Sequence, residues 1–310
     1  MNIILNTKAV AGSAEKKWNS LKDILIGKFS DCKIINVAEI DSLEKIVRRA
    51  IETNDTNFII AGGDGTVNNF VNSILEVLNE SEIKNIKIGV AGIGSSNDFC
   101  KPFNPKNFIN NIPCKINFDD IQLRDVGVIN YKSGFQTLTK YFLLNASIGV
   151  TAEANNIFNN PDFILKFFKK HFTDLAIIYA ALRTILTHKN FDAKIIFNSY
   201  ETYSFPISNL SIIKNPNISG NLSYPGEANY QNGLYDIYLA YSMNIFNLIC
   251  LLKSLSHKTF PKSEKTKQSK SSRLKVTSEK DFFIEFDGEI ISTNYAEFYI
   301  LNKYINVCAN

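Results

Sequence analysis

Histidine and cysteine are scarce in this 310-residue chain, with three and five copies, and none of them is grouped. Cys32, Cys100, Cys114, Cys250 and Cys308 form no pair at metal-binding or redox spacing, and an odd number fits a disulfide framework poorly. Reduced, mostly structural thiols are expected. His171, His188 and His257 stand apart from one another and from any cysteine pair, which argues against a zinc centre. Long apolar runs are missing too: nothing approaches roughly 18 uninterrupted apolar residues, so no membrane-crossing helix is expected. Met1-Asn2-Ile3 leads straight into a strand-like segment with no basic region or cleavage pattern, the signature of a cytoplasmic chain. Compositional bias is also absent. At 45% hydrophobic, 12% aromatic and 21% charged, the chain is too apolar for disorder and long enough for about two domains.

The net charge of +4 is unevenly distributed. Lys253 to Lys275 holds eight Lys/Arg against the single acid Glu264, a local net of +7 that leaves −3 for the remainder. A solvated loop over Lys262 to Lys275 is expected, with attraction to anionic headgroups as the functional alternative. Nucleic acid is not expected as a partner, because the run lacks interleaved aromatics and any binding motif.

Periodicity divides the chain. In the first part, strand-like Asn2–Leu5, Lys33–Val37, Phe58–Ala61 and Ile86–Val90 alternate with helical patterns over Lys16–Ile26, Asp41–Ile51 and Val67–Leu78. In the last of these helices Val67, Phe70, Val71, Ile74, Leu75 and Leu78 share one face. Alternating βαβ units predict a doubly wound parallel sheet. Beyond Asp119, segments such as Tyr141–Ala146, Ala193–Phe197, Leu234–Ala240 and Phe282–Phe286 are separated by Asn, Gly and Pro clusters, which predicts antiparallel strands interrupted by one or two helices, chiefly over Asp162–Thr187. The very apolar Ile245–Leu252 reads as a helix packed in this second domain, and core packing is likewise the expected role of Phe163, Leu165, Phe167 and Phe168 beside Lys166, Lys169 and Lys170, with contact at a membrane interface the alternative for both stretches.

Three short stretches carry the candidate chemistry. Ala61-Gly62-Gly63-Asp64-Gly65-Thr66 lies where a parallel strand turns into a helix, the ligand-binding edge of open α/β sheets. Glycines there let backbone amides approach a phosphate, and Thr66 has the hydroxyl to cap the helix or bond a phosphate oxygen. Asp64 beside phosphates calls for a divalent cation or a proton to be taken; it fits equally as an N-terminal helix acid. Gly92-Ile93-Gly94-Ser95-Ser96-Asn97-Asp98-Phe99 follows the next strand and would lie alongside, with Asn97-Asp98 also readable as a helix cap. The third stretch, Asp287-Gly288-Glu289, taken alone is a hairpin turn.

In this order the motifs resemble the diacylglycerol kinase catalytic-domain family, in particular its bacterial lipid kinases related to phosphatidylglycerol and sphingosine kinases. Asn6 with Gly12, Gly62–Asn68 with Asn72, Gly94–Phe99 and Asp287–Glu289 all match, and Asp125 falls where the family has an aspartate between its two domains. The resemblance implies a nucleotide-binding domain over 1–125, like that of phosphofructokinases and NAD kinases, with 295–310 returning to it. It further implies a β-sandwich-like lipid-binding domain over 126–294, an active site in the interdomain cleft, and ATP-dependent phosphorylation of a lipid hydroxyl with Mg²⁺, diacylglycerol-type substrates being favoured. By the same resemblance Asn6, Gly62, Gly63, Asp64, Gly65, Thr66, Gly94, Ser95, Asn97 and Asp98 would bind the nucleotide, Asp64 and Asp98 the metal, and Asp125, Glu289 and Asp64 would be catalytic. Partners would be a membrane lipid met peripherally, with a homodimer left open. The family's usual residues are replaced at Thr7, Asn69 and Gly92, and an acidic pair that holds a structural Mg²⁺ in some bacterial members reads here Gln231-Asn232-Gly233-Leu234, which argues against that second metal. A kinase of a soluble substrate such as NAD, or a non-catalytic binding homologue, are the competing readings.

Overall fold

The computed structural model describes residues 1–310 apart from 8–12, 30, 40, 41, 199, 200 and 310. Gly12 and the anticipated helix start at Asp41 therefore lie outside the described residues. The chain divides into two compact units, Met1–Asp125 with Lys303–Asn310, and Val126–Asn302. Of the anticipated return over 295–310, only the segment from Lys303 onward counts with the first unit.

The first unit runs β1 (Asn2–Leu5), α1 (Ser13–Lys28), β2 (Lys33–Asn36), α2 (Leu43–Glu52), β3 (Asn57–Gly62), α3 (Asp64–Val77), α4 (Glu80–Asn85), β4 (Lys87–Gly92), β5 (Phe108–Ile109) and β6 (Ile112–Lys115). β1 pairs in parallel with β2 and β3, and β3 with β4, giving the order β2-β1-β3-β4. Alternate residues of these strands face opposite sides, so both faces need cover. Ile3, Leu5, Ile59 and Ala61 pack with Trp18, Leu21 and Leu25 of α1, while Phe58, pointing the other way, meets Phe70 of α3 with ring centroids 4.9 Å apart. The apolar face of α3 is buried at Val67, Phe70, Val71, Ile74 and Leu75. Ser42 caps α2 through Lys45 N, and Asn79 with Glu82 forms a capping box on α4.

The second unit takes in the greater part of β7 (Ile121–Ser133), then β8 (Gln136–Phe142), β9 (Asn145–Gly149), α5 (Val150–Asn159), α6 (Phe163–His171), α7 (Thr173–Thr187), β10 (Phe191–Phe197), β11 (Glu201–Ile213), β12 (Asn217–Ser219), β13 (Leu222–Ser223), β14 (Tyr235–Tyr241), α8 (Ile245–Ser256), β15 (Thr266–Ser271), β16 (Arg273–Phe286) and most of β17 (Glu289–Cys308). Its ladders are antiparallel and run β15-β14-β11-β10-β16-β17, with β9 also lying between β11 and β16. The pairing is thus continuous, and because β9 and β10 both join β11 to β16 the ladders close on themselves. Its strands share a core that includes Phe142, Ile148, Ile195, Leu210, Tyr235, Ile284 and Phe298.

Three expectations change. The segment Lys262–Lys275 is not a loop: Thr266–Ser271 is the outermost strand and Arg273 opens β16. Lysine suits that position because its charge blocks edge-to-edge pairing with another chain. The helix foreseen over 162–187 is two helices, broken where Phe172 takes the non-helical angles φ −147° and ψ 76°. The strand foreseen over 141–146 is likewise two, because the amides of Leu143, Leu144 and Asn145 bond to the Asp287 carboxylate instead of a neighbouring strand.

Candidate active site

β3 and β4 end together, with Gly62 opposite Gly92, so the two glycine loops emerge side by side. Ile93 N donates to Gly62 O at 3.1 Å. The loops then touch so closely that a Cβ on Gly94 would lie 2.5 Å from Gly63 Cα, and one on Gly62 would overlap the Thr66 side chain at 2.5 Å. At these two positions the absence of a side chain is what permits the packing. Gly63 caps α3 without any side-chain hydrogen bond. The start of a 14-residue helix is therefore left with amides that no cap side chain accepts from, the arrangement that receives an anion.

Asp64 ties the loops together. Its Oδ2 accepts from Asp98 N at 3.0 Å and its Oδ1 from Phe99 N at 2.8 Å. Asp98 is itself held, accepting from Ser96 Oγ at 2.7 Å and pairing with Lys101 Nζ at 2.7 Å. Asn97 adopts the left-handed φ of 52° and donates to Gly94 O, while its buried Oδ1 has no partner. Asn6 Nδ2 donates to Thr66 Oγ1 at 3.1 Å, fixing the hydroxyl at the mouth of a cavity of about 220 Å³ that Val37, Ser42, Asn69 and Phe70 also line. Ser95 is exposed at the loop's tip.

Several cations behind the loops escaped the sequence reading. Lys17 of α1 donates to Gly94 O at 2.7 Å, and its partial burial lowers its pKa. The fully buried Arg124 stacks on Phe99, its guanidinium carbon 4.6 Å from the ring centroid. Lys115 is pushed down to about 8, first by burial and then by the charge of Arg124. Adjacency offered a signal for Lys101 and Arg124, which flank matched motifs. Lys17 had none.

The remaining candidates lie apart from these loops in the sequence. Asp125 is 1% exposed and its Oδ1 accepts from Lys303 N at 2.8 Å. Through that bond Asp125 ties down the start of the returning segment. Glu289 belongs to the second unit, where Asp287 and Gly288, at φ 45° and 94°, form the two-residue turn between β16 and β17. The turn is braced on three sides. Asp287 accepts the amides of residues 143–145 at 2.6 to 3.0 Å, Gly288 N donates to Glu285 Oε1 at 2.9 Å, and Asn159 Nδ2 donates to Gly288 O at 2.9 Å. Glu289 itself is left exposed at the start of β17.

Among the described residues no group of three or more His, Cys, Asp or Glu is placed to hold a metal ion. Mg²⁺ needs no such cage, since it characteristically binds through one or two carboxylates together with substrate phosphates. Asp64 and Asp98, joined through a backbone bond, fit that mode. In the second unit, Asn232 Oδ1 and Leu234 O instead accept from Lys214 Nζ, both at 2.9 Å.

Comparisons with known proteins bear on the fold and on the first 131 residues. The chain is 25% identical to the uncharacterized protein sll0036 of Synechocystis sp., over 99% of this chain and 70% of that one. In fold it is similar to a diacylglycerol kinase from Bacillus anthracis str. Sterne, with a TM-score of 0.66 at 16% identity, covering 100% of this chain and 96% of the other. A candidate diacylglycerol kinase of the same organism superposes with a TM-score of 0.71 at 21% identity, over 100% and 94%. The family model described as the diacylglycerol kinase catalytic domain matches residues 1–131. Those residues, with both glycine loops and the Asp64 bridge among them, match the diacylglycerol kinase catalytic domain.

Proposed function

We propose that the chain is an ATP-dependent lipid kinase that transfers the γ-phosphate to a lipid hydroxyl, a diacylglycerol-type substrate being favoured. The observation that carries this is the pair of glycine loops locked by Asp64 at the carboxyl ends of β3 and β4. The amides at the start of α3 and the hydroxyl of Thr66 bind the phosphates, and the cavity between Asn6, Ser42 and Asn69 lies beside them. Asp64 and Asp98 would hold Mg²⁺, which would neutralise phosphate charge. Lys17 and Lys101 keep the second loop in place.

Glu289 accepts the hydroxyl proton at a carboxylate oxygen. Its exposure leaves that oxygen open, and the braced turn fixes where it points. The acyl portion goes to an apolar cavity in the second unit, between α5, α7 and α8, lined by Phe158, Ile177, Ile185, Leu248, Leu251 and Leu255. With the acceptor activated by a positioned base, Glu289→Gln should lower transfer about 10²- to 10⁴-fold. Its melting temperature should not move, because Glu289 joins the hairpin through its backbone pairing with Phe286, which the substitution keeps.

The test is transfer of labelled γ-phosphate from ATP with Mg²⁺ to a lipid panel in mixed micelles, for the native protein, Asp64→Ala and Glu289→Gln. Labelled lipid that is lost in both variants supports the reading. Full activity in Glu289→Gln removes its role as base, and label appearing on NAD but on no lipid overturns the substrate class.

A further inference from the structure

We propose that Asn159 is a positioning residue that joins the apolar cavity of the second unit to the turn carrying Glu289, so that a long acyl chain raises the rate of transfer as well as the affinity. The inference rests on the roles proposed above for that cavity and for Glu289. Gly288 is held at both ends: its N–H donates to Glu285 Oε1 at 2.9 Å and its carbonyl accepts from Asn159 Nδ2 at 2.9 Å. The two bonds have different origins. Glu285 is a buried residue of β16, on the same hairpin as the turn, whereas Asn159 is the last residue of α5 and reaches the turn from outside it. The Gly288 carbonyl shares a peptide plane with the Glu289 nitrogen, so the Asn159 bond fixes the direction from which the Glu289 side chain leaves the backbone. Glycine at φ 94° imposes no such restraint itself.

α5 also forms one wall of the cavity. Val150, Thr151, Ala154, Asn155 and Phe158 line it from one face of the helix, and Phe158 adjoins Asn159. At about 80 Å³ the cavity is smaller than the roughly 150 Å³ that admits a benzene molecule. An acyl chain therefore enters only by displacing a wall. The α8 side, with Leu248, Leu251 and Leu255, belongs to the core that also holds Tyr224, Tyr238 and Phe260. α5 is the lighter wall, with Ala152 alone buried and Asn159 and Asn160 exposed at its end. Its first turn is fixed, because Thr151 N donates to Asn209 Oδ1 at 3.0 Å and Glu153 Oε2 meets His188 Nδ1 at 2.8 Å. Its last turn has two side-chain ties to other elements. Lys169 Nζ donates to Phe158 O at 2.9 Å and lies 4.2 Å from the Phe158 ring centroid, and Asn159 donates to Gly288 O. α5 also packs on β9 and β16, so a chain that widens the cavity presses the helix toward the hairpin and holds the Asn159 bond closed. Remote parts of a substrate raise kcat in this way, when their binding energy goes into alignment at the reacting centre.

The experiment compares dioleoylglycerol with dihexanoylglycerol in the same mixed micelles, for the native protein, Asn159→Ala and Asn160→Ala. Asn160 is the control, since its side chain donates to Asn156 O at 3.1 Å on α5 itself. Native kcat should be about 5-fold higher for the long-chain lipid, the factor that one hydrogen bond of ordinary net strength controls. In Asn159→Ala that ratio should fall to about one while Asn160→Ala keeps it, and the KM preference for the long chain should remain in all three. Asn159 is exposed, so melting temperatures should stay close to native. Hydrogen exchange at the amides of Gly288 and Glu289, measured without ATP, reads the same link apart from turnover. Dioleoylglycerol should slow it about 5-fold in the native protein and not in Asn159→Ala. Exchange that ignores the long chain, or responds equally in Asn159→Ala, overturns the proposal even where lipid is phosphorylated. So does a kcat ratio that survives Asn159→Ala, or one that Asn160→Ala also abolishes, which traces the effect to fraying of the helix end. Exchange that responds through Asn159 with no lipid phosphorylated defeats the kinase reading and keeps the link between cavity and turn.

Discussion

Replacing Gly94 by alanine probes the contact between the two loops with a single methyl group. The new Cβ would lie 2.5 Å from Gly63 Cα, 3.0 Å from Asn97 Oδ1 and 3.2 Å from Gly63 N, the first and last being backbone atoms that cannot rotate away. Comfortable carbon–carbon contact begins near 3.5 Å, so the loops must part by roughly 1 Å. The bonds from Asp98 N and Phe99 N to Asp64, now 3.0 and 2.8 Å, would then stretch past hydrogen-bonding range. Overpacking of this kind costs about 1–3 kcal/mol, and each lost bond to a charged acceptor adds about 1.5–3 kcal/mol unless the structure relaxes. A stability loss of about 3 kcal/mol is expected in urea denaturation. Under the proposed function a displacement of that size costs about 100-fold in transfer rate, read in the labelled-phosphate assay with ATP affinity measured alongside by calorimetry. Gly27→Ala is the control, since it meets nothing within 4 Å inside α1 and should be neutral or stabilising by up to about 1 kcal/mol. Unchanged ATP affinity and stability in Gly94→Ala would refute the claim that the loops function as one clamp.

Two further perturbations address other parts of the molecule. Asp287→Ala strands three backbone amides that have no strand partner, and should cost about 3–5 kcal/mol in denaturant, with Asp287→Asn intermediate because it keeps one acceptor oxygen. Lys115 has its pKa lowered in the folded state to about 8, so between that pH and its unfolded value the unfolded chain binds more protons and stability rises with pH. Lys115→Met should therefore be more stable than native by about 3 kcal/mol at pH 7, the advantage fading as pH rises through that window. Paired melting curves across pH test this; a constant difference would show that Lys115 is not held at a cost.

The first unit is legible because its cues are local. Val67, Phe70, Val71, Ile74 and Leu75 show the helical period within a dozen residues, and the glycines that let the loops touch sit next to the strands that position them. The candidate site was legible to the same extent, as motifs but not as partners. That Asp64 would spend its oxygens on Asp98 N and Phe99 N, 34 and 35 residues away, is tertiary information. Asp287 shows the limit most clearly. A turn residue by every local sign, it takes the place of a missing strand for amides 142 to 144 residues earlier. The break at Phe172 has no glycine or proline to announce it. The exposure of Phe163 and Phe167 on α6 is tertiary information too, since aromatic residues at helical spacing look the same whether or not another element packs on them.

Lys214 is 3% exposed, with its ammonium on Asn232 Oδ1 and Leu234 O. A positive charge supplied by the chain itself is covalently tethered, present from synthesis and in fixed stoichiometry. Those two oxygens need no ion from solution, so their order is insensitive to chelators and to the supply of divalent cations. Under the proposed function magnesium serves the nucleotide alone, and depleting the metal should stop turnover while leaving the second unit folded.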